Sequence, residues 1–186
     1  KINKIKKLSY KIRKTILAHE NKVCVGDLLM ITKNNYFWTS PDSEIPFLAN
    51  GDIVQILEIF SIKDLYGFEF AEVKIKMVDY TDQPTFDTVI ILNTLDLDTP
   101  SLSYEQSNKL YHEVQNDYNS IKSKYKRFLK TKENPFFNAL QVKFSYAITC
   151  HKAQGGQWPV VFLEKPYLKV CLLFTSPSPR DTQSSR

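Results

Sequence analysis

Between Val25 and Asn93 the chain is cut into short apolar runs by turn-forming residues, and this spacing constrains the fold more than any other feature. VGDLLMITKN (25–34) reads as a strand opened by a Gly26-Asp27 turn. Asn50-Gly51-Asp52 is a second turn signal, and it feeds IVQILEIF (53–60), which is short and β-branched at its start. GFEFAEVKIKMVDY (67–80) alternates through Phe68 and Phe70, then Val73, Ile75 and Met77, with a break near Ala71 that predicts a bulge. FDTVIILN (86–93) is a further strand. Short strands at hairpin-like spacing imply a small antiparallel barrel or sandwich, with the acidic bias of this region on its outward positions.

The flanks are different. Ile5, Leu8, Ile12 and Ile16 recur at helical spacing with lysines between them, predicting an amphipathic helix over 4–18. Ser103 with Gln106 fits a capping box. Leu110, Val114, Tyr118, Ile121, Tyr125 and Phe128 then continue at helical spacing, as one long helix or two short ones ending before Asn134-Pro135. FNALQVKFSYAIT returns to strand character, and PVVFLE (159–164) reads as a buried strand. The order is helix, small β module, helix, strand, turn, strand.

Composition sets the surroundings. Of the 186 residues, 42% are hydrophobic and 24% charged, which suits a globular chain with a real core. No apolar run approaches the ~20 residues of a spanning helix. Three cysteines, odd in number and far apart, point to reduced thiols in the cytoplasm. The net charge of +5 is unevenly spread. Lysines and Arg13 crowd the start, Lys122 to Lys132 form a second basic run, and acidic residues dominate from Asp42 to Asp98. That layout suits a polyanion that touches the flanks; solvated helix faces are the alternative. The chain has no initiating Met, and its final stretch, 169–186, turns abruptly to Ser, Pro and charge; it reads as a non-native or disordered tail.

The chemistry concentrates in TCHKAQGGQW (149–158). A Cys-His catalytic site, a metal site and a polyanion-binding turn are the three readings. On a strand, Cys150 and His151 point to opposite faces and are poorly placed to pair. His19 and His112 are the other histidines, and no paired metal-ligand spacing is present, so no metal is expected. A strand that breaks into a Gly-containing turn frees backbone N–H groups, and Thr149, His151 and Lys152 add side-chain donors for phosphate. An inert turn stands beside this reading.

At these residues a resemblance becomes visible. SYAITCHKAQGGQW resembles motif V with its adjoining Thr-x-His stretch in superfamily 1 DNA helicases of the RecD and Dda type, which carry a UvrD-like C-terminal region. VGDLLMITKNNY…ANGDIVQIL is similar to the SH3-like module inserted in the second motor domain of that family. KINKIKKLSYKIRKTIL looks like the end of motif IV and its helix. The implied fold is α/β: a partial RecA-like second motor domain carrying an SH3-like small β-barrel insertion. Its start would occupy 1–21, the β insertion 22–100, a helical segment 101–138, and the return to the motor domain with motif V 139–168.

The resemblance implies a fragment of an ATP-dependent DNA helicase, exonuclease-associated and translocating on single-stranded DNA. Thr149, His151 and Lys152 would contact DNA, joined by Asn34, Asn35 and Tyr36 of the aromatic loop. Gln154, Gly155, Gly156 and Gln157 would couple to nucleotide, with Gln157 replacing the commoner Glu. The implied cofactors are ATP and Mg²⁺ in a full-length protein. Implied partners are single-stranded DNA and duplex junctions, the first motor domain and nuclease subunits, with no membrane. These 186 residues contain no G-x-x-x-x-G-K-[ST] loop and no arginine finger, so no ATPase activity is expected of them alone. A non-catalytic nucleic-acid-binding β-barrel adaptor is the alternative. Tyr36, Phe37 and Trp38 could stack on bases or close the barrel core, and Lys122–Lys132 could track phosphates.

Overall fold

The computed structural model describes residues 2–40, 45–79, 85–150, 152–153 and 160–162. Residues 1–154 form one compact unit and 155–186 another. In the second unit the described residues 160–162 have no strand structure and Phe162 is 96% exposed, unlike the buried strand expected over 159–164. A buried strand needs ladder partners, and none pairs with these three residues among those described.

The first unit is built on a closed five-stranded barrel in which each strand pairs with the next and the last with the first. The strands are β1 (Leu28–Ile31), β2 (Ile53–Leu65), β3 (Phe68–Met77), β4 (Phe86–Ile91) and β5 (Leu140–Phe144). The β module is therefore present, but its fifth strand comes from beyond the 22–100 stretch. β5 runs antiparallel to β1 (Leu29 opposite Phe144) and parallel to β4 (Ile90 opposite Leu140). A parallel pair cannot be joined by a tight turn. The helical segment supplies the crossover: α2 (Asn93–Asp96), α3 (Tyr104–Asn116) and α4 (Lys124–Glu133). The Ser103–Gln106 capping box forms as read, and the ambiguous helical run resolves into two helices.

The break in β3 is not a bulge. Its odd positions, Ala71, Val73, Ile75 and Met77, fill the barrel interior. Phe68 and Phe70, on the even face, pack outward beneath α3 with Val89, Ile91, Leu110 and Val114. The strand keeps its two-residue period throughout; only the covered face changes along its length. The extra residues lie in β2 instead, between Ile56 and Glu58 and between Ile59 and Ser61. The β2–β3 connection is Tyr66-Gly67, both at positive φ (57° and 72°), as a primed two-residue hairpin turn requires. Gly67→Ala is expected to cost about 1–2 kcal/mol through its backbone conformation, measured by urea unfolding. A cost below about 0.3 kcal/mol would mean the turn relaxes freely.

α1 spans Ile2–Thr15, a helix where periodicity predicts one over 4–18 but ending before Ile16, and the residues it buries are not mainly those of the apolar stripe. Ser9 and Arg13 are buried, while Leu8 and Ile16 of the expected apolar stripe are 39% and 73% exposed. Tyr10 packs edge-on against Phe144 with ring centroids 5.2 Å apart. Polar contacts supply the rest: Lys6 reaches Asp98 at 2.7 Å, and Tyr10 donates to Asp96 at 2.7 Å. Among the described residues no helix is long and apolar enough to cross a membrane.

Candidate nucleic-acid interface

The contact that fixes α1 to the barrel also sets the start of the candidate site. Asp27, fully buried, accepts from five donors. Arg13 Nε and a terminal guanidinium nitrogen bind its two oxygens at 2.9 and 2.7 Å. The Cys24 N–H (2.7 Å) and the Tyr146 hydroxyl (2.8 Å) add two more, and His19 Nδ1 lies 2.9 Å away. An ionised carboxylate only accepts, so His19 Nδ1 carries the proton in this contact. Burial alone would raise the Asp27 carboxyl. The hydrogen bonds from Arg13, His19, Cys24 and Tyr146 outweigh it and hold Asp27 below the usual carboxylate range. Burial pushes the Tyr146 hydroxyl the other way, to about 12, so it stays protonated and donating at neutral pH.

Two expectations change here. Arg13 belongs to the basic N-terminal run but is 3% exposed, so it is removed from any polyanion-facing surface. Asp27, read as half of a turn signal, is the anchor of the helix. His19, Cys24 and Asp27 place possible ligand atoms within 4.8 Å of one another, a grouping that sequence spacing did not suggest. The Arg13 guanidinium already covers both Asp27 oxygens, and its Nη2 lies 3.8 Å from Cys24 Sγ. A cation there would face another cation at contact distance, so the donor set suits the arginine better than a metal.

From this anchor the chain runs to the motif. β5 ends at Phe144, five residues before Thr149, so the strand-alternation argument about Cys150 and His151 does not apply. Three bonds guide the segment instead: Ser145 N–H to Leu28 O (3.0 Å), Tyr146 to Asp27, and Ala147 N–H to Ser9 Oγ (3.1 Å). Thr149 then closes a turn. Its Oγ1 accepts from Lys152 N–H at 3.2 Å and its carbonyl from Ala153 N–H at 3.0 Å. Among the described residues no group accepts the Thr149 hydroxyl hydrogen, and Cys150 is exposed.

The Lys152 ammonium donates to Asn50 Oδ1 at 2.7 Å, and the Asn50 N–H donates to Asn34 Oδ1 at 2.8 Å. Two stretches more than 100 residues apart thus meet: the Thr149–Lys152 turn and the loop pair Asn34/Asn50. Asn35 is taken up in holding its loop, since its Oδ1 accepts from Phe37 N–H and its Nδ2 donates to Asn138 O, at 2.9 and 2.8 Å. Trp38 also donates to Asn138 O and packs on both cores, so it closes the barrel. Tyr36 is 65% exposed and stacks on Phe47 with centroids 4.9 Å apart. His151, Gln154, Gly155, Gly156 and Gln157 lie outside the described residues. Asn50 and Asn138 were not picked out from sequence: the first sits in a turn signal, and the second carries no local signal.

Residues 144–175 match a model of a known protein family. It is the UvrD-like helicase C-terminal domain. The UvrD-like match begins at the last residue of β5 and contains Tyr146, Thr149 and Lys152, so it covers one of the donors to Asp27 together with the turn. Among curated proteins, none matches the chain. The match supports a UvrD-like helicase relationship and a helicase-related, nucleic-acid-binding role. The 186 residues contain no G-x-x-x-x-G-K-[ST] pattern.

Proposed function

We propose that the chain is the second motor region of a RecD-like, ATP-dependent DNA helicase, a RecA-like domain carrying this barrel as its SH3-like insertion. Its part is to hold single-stranded DNA while the motor steps. One observation favours this reading above the others: the 2.7 Å contact from Lys152 to Asn50, itself bonded to Asn34, joins the two stretches that separately resemble helicase motifs.

The chemistry is phosphate recognition. The Thr149 hydroxyl donates to a backbone phosphate oxygen, and the Lys152 ammonium, with two protons beyond the one given to Asn50, neutralises the same or the next phosphate. Asn50 keeps the ammonium oriented when no strand is bound. ATP hydrolysis with Mg²⁺, on other parts of a full-length protein, supplies the free energy for movement. The four residues from Gln154 to Gln157 carry the coupling to nucleotide, and duplex junctions and an exonuclease partner fit the same assignment.

Lys152→Ala is expected to weaken binding of the 186-residue chain to labelled oligothymidylate. It should also reduce the slope of log affinity against log salt by about 0.7, the counterion share of one single-strand phosphate contact. Thr149→Ala should weaken binding with no change in that slope. Unchanged affinity in both variants would remove the turn from the DNA contact and leave the barrel as a non-catalytic adaptor.

A further inference from the structure

α4 is unusually bare for a helix inside a crossover. Arg127 turns inward to Asn119 Oδ1 and Ile121 O, and Thr131 is buried. Tyr125 is 70% exposed and Phe128 42%. These two and Lys132 lie at i, i+3 and i+7, along one face. Lys122, Lys124 and Lys126 are exposed and form no ion pair among the described residues. The Tyr125 ring has no aromatic partner among them either.

The C-terminal end of α4 is tied to the candidate site. Asn138 Nδ2 donates to Lys132 O at 2.7 Å, at the end of α4, while Asn138 O accepts from Asn35 and Trp38. The chain of contacts therefore runs from α4 through Asn138 to the aromatic loop, and on through Asn34 and Asn50 to Lys152. From Lys132 back to Tyr125 is seven residues, about 10 Å of helix. Tyr36, at one end of these contacts, and Tyr125, at the other, are both largely exposed, Tyr36 with one ring face on Phe47.

We propose that α4 extends the path for single-stranded nucleic acid, with Lys122, Lys124 and Lys126 against phosphates and a base stacked on Tyr125. The proposal rests on the reading of the Thr149–Lys152 turn as a strand contact. Lysines alone would serve an acidic protein equally well. Two separated, exposed rings together with cations match a chain that offers a flat base beside every phosphate.

The test compares a short oligothymidylate, covering only the Thr149–Lys152 turn, with one long enough to reach α4, both bound to the 186-residue chain. All of the substituted α4 residues are exposed, so the fold is left intact; far-UV circular dichroism and the urea midpoint confirm it. Tyr125→Ala is expected to weaken the long oligomer roughly tenfold and leave the short one unchanged. Lys124→Ala/Lys126→Ala should lower the salt slope for the long oligomer by about 1.4. Equal effects on both lengths, or none on either, would overturn the assignment of α4. Polyglutamate displacing the long oligomer from the wild type with undiminished strength from Tyr125→Ala would mark α4 as a dock for an acidic protein, and would also overturn it. If the α4 proposal alone is wrong, Lys152→Ala still weakens both lengths. If Lys152→Ala weakens neither, the underlying reading has failed as well.

Discussion

Replacing Arg13 by methionine is expected to destabilise the chain by about 3–5 kcal/mol, the cost of leaving one member of a buried ion pair without the other. Methionine keeps most of the aliphatic stem, so the loss isolates the charge. Asp27 stays behind with no exposure to water and its strongest donor gone. Arg13 also lies over the Phe144 ring, 4.2 Å from its centroid, and that contact is lost too. Arg13→Lys should recover little, because an ammonium cannot reproduce the two-pronged contact. The double variant Arg13→Met/Asp27→Leu should be less damaged than Arg13→Met, since it removes the stranded charge. Urea unfolding measures all three; a loss under about 1 kcal/mol for Arg13→Met would contradict the role given to the pair.

The same anchor predicts an acid limb. Asp27 is held below its ordinary value, so its contribution is complete above the unfolded carboxylate pKa, about 4, and is lost as pH falls through the folded value. Stability followed downward from neutral pH should decline more steeply in the wild type than in Asp27→Asn. Because Tyr146 shares this carboxylate, the weakened variants should also bind oligothymidylate less tightly, without any change to Thr149 or Lys152.

Phe70→Ala is the second large effect, about 3–5 kcal/mol for a fully buried aromatic ring. Phe70 stands on the outer face of β3, edge-on to Phe136 at 5.3 Å, and belongs to the cluster beneath α3. Its loss should loosen the helices before the barrel. Hydrogen exchange ought to show α3 amides losing protection first, with the β2–β3 ladder near Ile75 kept. Ile75→Ala, on the inner face, should reverse that order. If the two variants gave identical exchange patterns, the two clusters would be one cooperative core.

The barrel was legible because its strands have local signals: turn residues at Gly26-Asp27 and Asn50-Gly51-Asp52, and two-residue alternation between them. The capping box at Ser103 was legible for the same reason. What failed was anything set by distant partners. Hydrophobic spacing in α1 identified a helix but not how it docks, because a buried Arg13–Asp27 pair and the Tyr10–Phe144 contact decide that. The apparent bulge at Ala71 was a change in what covers β3, which no local pattern reveals. At the candidate site, Thr149 and Lys152 were read from their motif, whereas Asn50 and Asn138 gain their roles only when the loops are brought together.

The late arrival of β5 has a consequence for how the molecule is made. Leu29 opposes Phe144, so the ring cannot close until more than 100 further residues have left the ribosome. Until then β1 and β4 each carry an unpaired edge, and the hairpin of β2 and β3, with its two-residue turn, is the obvious early structure. Pairing at such sequence separation is entropically slow. The segment that completes the ring leads within a few residues into the Thr149–Lys152 turn. Synthesis thus joins barrel closure to formation of the Thr149–Lys152 turn in time as well as in space.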